Sequence, residues 1–434
     1  SLLSPDRRTR RRNAAEARFR AYGQVALAIA LGFLAVLLVT IVARGAPAFS
    51  QSFVTLPVTL PEGRLDPSGT RDPVALRGVT TFRYAPLLAE AMTRLVAADG
   101  IETGLTGKDM AGLLSASAAA VVRDAVLADP GLIGQTVEFR LLAASRVDGY
   151  LKGRVTRASA AQDMNISPEQ LDLVDALKAA GRLGRSFNLS FVTGADASES
   201  RPEAAGFGVA MLGSFYMMLV VLILGLPIGV ATAIYLEEFA PRNRWTDLIE
   251  VNISNLAAVP SIVFGILGLA VFIQVAHLPQ SAPLVGGLVL SLMTLPRIII
   301  PTRAALKAVP PSIKDAALGV GASRMQAVFH HVLPLALPGI LTGVILGLAQ
   351  ALGETAPLML IGMVGYVATN APSGLADGFL SPNSAMPAQI YEWSRRADPA
   401  YYERAWGGII LLLVFMVLMN IVAILLRRRF ERRW

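Results

Sequence analysis

Residues 22–43 read YGQVALAIALGFLAVLLVTIVA, a run without a single charge. About 20 apolar residues is what an α-helix needs to cross the hydrocarbon core of a bilayer. No other feature constrains the chain as tightly, because only a segment that satisfies its own backbone hydrogen bonds can sit in lipid. Further apolar stretches lie at about 207–235, 253–276, 283–306, 335–362 and 406–426, which predicts six transmembrane helices. The composition agrees: only 16% of residues are charged, against roughly 25% in ordinary soluble domains.

The charge pattern orients the chain. Its net charge is +8, of which residues 1–20 carry +5 and residues 427–434 carry +4. Basic patches can mark a nucleic-acid surface, but these abut apolar runs, as cytoplasmic flanks do. Both tails, 1–21 and 427–434, are therefore expected in the cytoplasm, in agreement with an even number of spans, and no nucleic-acid partner is expected. The run at 22–43 exceeds the 7–15 apolar residues of a cleaved signal, so it reads as a retained anchor. With no cysteine there is no disulfide and no thiolate metal site. Of the three histidines, His330 and His331 are adjacent and cannot share a helix face, so no metal is expected.

Residues 44–205 differ. They hold 17 basic and 18 acidic residues with Pro, Gly and Ser interruptions, the composition and length of a soluble domain. Helices are predicted at 86–98, 108–129 and 168–181, and short strands in EFRLLAA (138–144) and SFNLSFV (186–192). This is a small α+β domain on the outer face, inserted between the first and second spans, with an interaction or packing role. The membrane domain resumes at 206–426. Its loops near 237–250 and 307–334 fall on the cytoplasmic side. The outer loop near 363–405 ends in Tyr391, Trp393, Tyr401, Tyr402 and Trp406; interfacial anchoring and ordinary loop packing are both open for these aromatics.

The cytoplasmic stretch 308–334 carries the most specific pattern. Pro310 and Pro311 stop the preceding span, Ser312 and Asp315 suggest an N-cap pair, and Gly319 and Gly321 end a short helix. A second short helix is expected from Ser323 to Val332, halted by Pro334. Here the chain resembles the EAA loop of ATP-driven (ABC) importer permeases: Asp315, Ala316, Ala317, Gly321, Leu333 and Pro334 fit its spacing, with Asp for Glu and His331 at an aliphatic position. IYLEEFAP (234–241), AVPSIVFGILGL (258–269), LKAVPPSIKDAALGVGAS (306–323) and QALGETAPLML (350–360) narrow the resemblance to the phosphate-transport permease family (PstA). The resemblance covers 207–426 and implies an all-α, type I-like permease fold, a bacterial inner-membrane location and no catalysis in this chain. It also implies partners: a second permease (PstC-like), an ATPase dimer (PstB-like) that binds ATP and Mg, and a periplasmic phosphate-binding protein (PstS-like). The loop residues would couple to the ATPase.

Glu354 stands in the fifth apolar stretch. Ionisable residues in spans default to function, and Gly353 and Pro357 loosen the helix around it. A bare carboxylate repels phosphate, so a pairing or gating role with an arginine is expected. The path residues expected are Arg297, Gln350, Glu354, Thr355 and Arg303, with Thr294 and Thr302 as further donors; Arg303 also reads as a snorkelling residue at the inner end. Some relatives carry an arginine where Gln350 stands, which keeps sulfate and molybdate open. A membrane-anchored sensor is the alternative, but it predicts plain spans, and Arg297, Pro301, Gly343, Gly347, Glu354 and Pro357 break that plainness.

Overall fold

The computed structural model describes residues 7–67, 69–363 and 374–430. Residues 364–373 of the outer loop, 1–6 of the first tail and 431–434 of the last lie outside the described residues. Among the described residues, five helices are long and apolar enough to cross a bilayer: Arg7–Phe49, Gly208–Phe239, Pro283–Lys307, Arg324–Gly353 and Pro399–Arg429. A bent pair, Arg244–Ala257 and Ser261–Val275, turned by 104°, makes a sixth when it is counted as one broken span and not as a re-entrant loop.

That bend corrects the continuous third span expected at 253–276. Pro260 has no N–H to donate and disfavours helical geometry at the residue before it. The half before the bend is polar, with Asp247, Glu250, Asn252 and Asn255; only the half after it is apolar. The fifth span also differs from 335–362. Pro357 would clash with the carbonyl four residues back, that of Gly353, and the helix ends there. A short helix, Ala356–Leu360, follows. Pro334 does not halt its helix. A π turn at Val328–Val332 widens the ladder just ahead of it, so Arg324–Gly353 runs as one helix and the expected second short helix is the start of the fifth span.

The fourth span is the hub. Two thirds of its most apolar window (67%) is buried, against 6% for the first and last spans. Close approach is built from small residues, as membrane helices require when no hydrophobic driving force separates them from lipid. A Cβ on Gly229 of the second span would meet Ile298 at 2.8 Å, and one on Gly343 of the fifth would meet Pro301 at 2.5 Å. Gly339 and Gly347, four residues to either side of Gly343, face Ala305 and Ile298.

The outer domain holds a three-stranded antiparallel sheet of order β2-β1-β3, with β1 Ser50–Thr59, β2 Thr136–Leu142 and β3 Leu183–Phe187. The central strand was not expected, although its alternation is clear in retrospect: Val54, Leu56 and Val58 are buried. Pro57 is tolerated because β3 pairs β1 only over Ser50–Val54. The Thr55 N–H goes to Arg182 O, and Pro57, two residues on, faces the same side beyond the end of β3. The strand expected at 186–192 is β3 plus a helical turn, Leu189–Thr193. The helix expected at 108–129 is two, Gly107–Ala111 and Ala118–Ala128.

A buried junction bolts this domain to the last span. Lys152 bridges Asp148 and Glu403, both at 2.7 Å, and Arg154 reaches Glu403 at 2.6 Å. Arg396 pairs with Asp196 at 2.6 Å, which also accepts from Trp393 Nε1 at 2.9 Å. Trp393 and Tyr401 are fully buried among Phe191 and Phe207, so these two aromatics pack, whereas Tyr391 and Tyr402 are exposed.

Candidate functional site

The fourth span brings one arginine into the membrane domain. Pro301 follows Arg297 by four residues, so the Arg297 carbonyl receives no N–H from the helix. Arg297 Nη1 lies 3.6 Å from Glu354 Oε1, too far for a hydrogen bond, and Nη1 is buried without a hydrogen-bond partner. The two side chains retain 25% and 18% exposure. The break in the fifth span is what puts Glu354 there. Its backbone is extended (φ −74°, ψ 129°), and the following turn presses on a helical glycine: a Cβ on Gly265 would meet Pro357 Cα at 2.7 Å.

Of the other expected path residues, Thr355 opens the short helix beyond the break without a side-chain cap. Gln350 is exposed and shares the helix stripe of Gly347 and Glu354 by its spacing of three and four. Thr294 donates within its own helix, to Leu290 O at 2.9 Å, whereas the Thr302 hydroxyl is buried and unpaired. Arg303 is elsewhere. Its Nε reaches Glu237 at 3.2 Å and its Nη2 reaches Glu250 at 2.6 Å. The structure thus brings Arg297 to Glu354 and places Arg303 in a separate ionic cluster at the inner end. Apart from the quoted YLEE, those carboxylate partners are not legible in the residues, because nothing local says what a glutamate at a helix end will face.

The loop at the inner end begins with a helix, Pro311–Gly319, whose N-cap is Pro310 with no side-chain bond. Ser312 is therefore not the cap; Pro311, with its fixed φ, starts the helix unaided. Gly321 at φ +92° ends the turn. Ser323 caps the next helix, in a reciprocal box with Gln326. Asp315 and Ala316 are exposed, Ala317 is buried, and Leu333 and Pro334 are half-buried. Leu318, Val320, Met325 and Phe329 add exposed apolar surface, Val320 at 87%.

Comparisons with known proteins find relatives for both parts of the chain. Residues 225–434 match the family of binding-protein-dependent transport system inner membrane components. Residues 6–161 match a domain of unknown function, DUF3333. A probable ABC transporter permease protein YqgI of Bacillus subtilis is 34% identical over 165 residues, 37% of this chain and 55% of that relative. The phosphate transport system permease protein PstA 1 of Mycobacterium tuberculosis is 30% identical over 234 residues, 54% of this chain and 74% of that one. PstA 2 of Mycobacterium bovis is 32% identical over 241 residues, covering 54% and 76%. Among solved structures, the inward-facing MetNI methionine transporter matches 52% of this chain and 97% of that one at 16% identity, with a TM-score of 0.41, too weak a likeness to argue from.

Proposed function

This chain belongs to the family of binding-protein-dependent inner-membrane transport components, the permease subunits of ATP-driven importers, and on that premise we propose that it forms half of a path for inorganic phosphate. The observation that carries the reading is the Arg297–Glu354 pair at a break between two helices. An arginine whose Nη1 makes no hydrogen bond keeps donors free for an oxyanion, and planar guanidinium donors match phosphate well. Glu354 neutralises the arginine when no anion is present, which lowers the cost of holding a charge in the membrane domain. An arriving phosphate displaces the carboxylate from a distance it holds only by charge. Gln350 adds a polar group on the stripe of Glu354, Thr355 adds one beyond the break, and Arg303 serves the inner end. The names of the relatives support phosphate; Gln350, uncharged where some relatives carry arginine, keeps sulfate or molybdate as the second reading.

The partners proposed are a second permease of PstC type, a PstB-like ATPase dimer and a PstS-like binding protein on the outer side, with both tails in the cytoplasm. Asp315, Ala316, Ala317, Gly321, Leu333 and Pro334, with the apolar surface of Leu318, Val320, Met325 and Phe329 beside them, would dock the ATPase. The test is to purify the chain with its native neighbours, reconstitute it in lipid, and measure ATP turnover with phosphate, sulfate or molybdate and the binding protein. Phosphate alone should raise turnover. Arg297→Gln should abolish that rise while the subunits stay together, and Asp315→Lys should lower coupled turnover. Stimulation that survives Arg297→Gln sinks the proposed path.

A further inference from the structure

The motif IYLEEFAP (234–241) ends the second span, and three consecutive residues of it grip three different elements. Glu237 Oε2 lies 3.2 Å from Arg303 and 3.5 Å from Lys307, both on the fourth span. Glu238 is paired with Lys314 on the helix Pro311–Gly319. The Phe239 ring lies under the Arg324 guanidinium, 5.7 Å from its centroid, and Arg324 opens the helix that becomes the fifth span. Arg303 also binds Glu250 of the polar helix before the 104° bend. Neighbouring helical residues diverge by roughly 100°, and the local backbone is a π turn, Tyr235–Phe239, closed by Ala240 N–H donating to Tyr235 O at 2.8 Å. One short turn can therefore address three directions at once.

The burial separates this cluster from decorative surface charge. Glu238 keeps 8% exposure, Glu237 17% and Arg303 16%. A partly desolvated pair holds its geometry better than an exposed one, whose worth is close to nothing, and removing one partner strands the other. The glutamates point at cations on separate elements, so the contacts fix angles between elements and do little for the stability of any single helix. The apolar face of the Pro311–Gly319 helix is short, with Ala317 as its buried residue. Packing alone offers little to hold that helix at a set attitude.

We infer that Glu237, Glu238 and Phe239 form a clasp that locks the loop helix Pro311–Gly319 to the inner ends of the second, fourth and fifth spans, so that a push on the loop moves all three together. These are positioning residues; none of them lies at the Arg297–Glu354 pair. The inference rests on the proposed docking of an ATPase at this loop, but the clasp itself can be tested without one.

The chain has no cysteine, so paired spin labels can be introduced directly at Val320→Cys on the loop and Arg242→Cys beside the second span. In lipid, the distance distribution between the two labels should be narrow. Glu238→Lys or Lys314→Glu alone should broaden it, and the double exchange should narrow it again. In the assembled complex, each single reversal should cut binding-protein-stimulated over basal ATP turnover by roughly fivefold or more, the scale of a modest coupling energy, and the exchange should restore it. Glu238→Gln and Lys314→Gln serve if a reversal prevents folding. A narrow distribution in the single variants, or folded exchange variants that recover neither readout, overturns the clasp. Absence of stimulated turnover in the unaltered complex would instead overturn the transport reading, and the label distances would still decide the clasp.

Discussion

A carboxyl group and an arginine show how one residue's surroundings set its chemistry. Glu203 sits where the outer domain meets the second span, 7% exposed, accepting from Ser115 Oγ. Burial pushes its carboxyl above the ordinary value of 4.5, only partly offset by the Ser115 bond. Between 4.5 and the raised folded value, the unfolded chain is ionised while the folded chain still holds its proton, so stability falls as pH rises through that window. Above it the buried charge is a constant cost. Glu203→Gln removes that cost and keeps an acceptor for Ser115. The variant should melt at a higher temperature than the parent at neutral pH, and the gap should close as pH falls below 4.5; an equal gap at both ends would assign the effect to packing. Arg297 solves a similar problem by finding Glu354. That pair is legible in the sequence as two ionisable residues in apolar runs. Their meeting is not, since 57 positions of chain separate them.

At the scale of elements, prolines and glycines decide where helices stop and how closely they approach. Pro260 and Pro357 break their spans, whereas Pro334 is absorbed by a π turn, and the residues alone do not distinguish the two outcomes. Glycines divide in a similar way. A Cβ on Gly343 would meet the Pro301 ring at 2.5 Å, whereas one on Gly353 would meet nothing within 4 Å. Gly343→Leu should therefore destabilise the fourth–fifth span packing by about 1–3 kcal/mol through overpacking. Gly353→Ala should be neutral or gain up to about 1 kcal/mol of helix propensity. Thermal unfolding in detergent checks both; equal effects at the two sites would show that the small-residue stripe does not set the crossing.

At the scale of the whole molecule, the inserted domain is tied to the last span by buried ion pairs. Lys152, at 3% exposure, serves Asp148 within the domain and Glu403 on the last span. Truncating one member of such a cluster typically costs about 3–5 kcal/mol, because it strands the others. Lys152→Ala should loosen the junction, seen as faster proteolytic clipping near Glu199–Arg201. Clipping at the parental rate would show that the aromatic cluster carries the junction. Excising 44–205 also leaves Arg396 and Glu403 without their partners Asp196, Lys152 and Arg154, so a deletion that probes the domain's role must replace both residues as well.

The class of this molecule is legible in its residues: apolar runs of bilayer length, an inserted α+β domain, and a loop spaced like those that meet an ATPase. Those follow from local quantities, namely length, period and spacing, which every residue carries wherever the chain goes. It takes the folded chain to reveal that Arg297 meets Glu354, that Arg303 turns away to Glu237 and Glu250, and that the inserted domain is bolted to the last span. A charge in a run announces that it needs a partner; which partner it gets is fixed by helix crossings and breaks, and those depend on contacts between residues far apart in the chain.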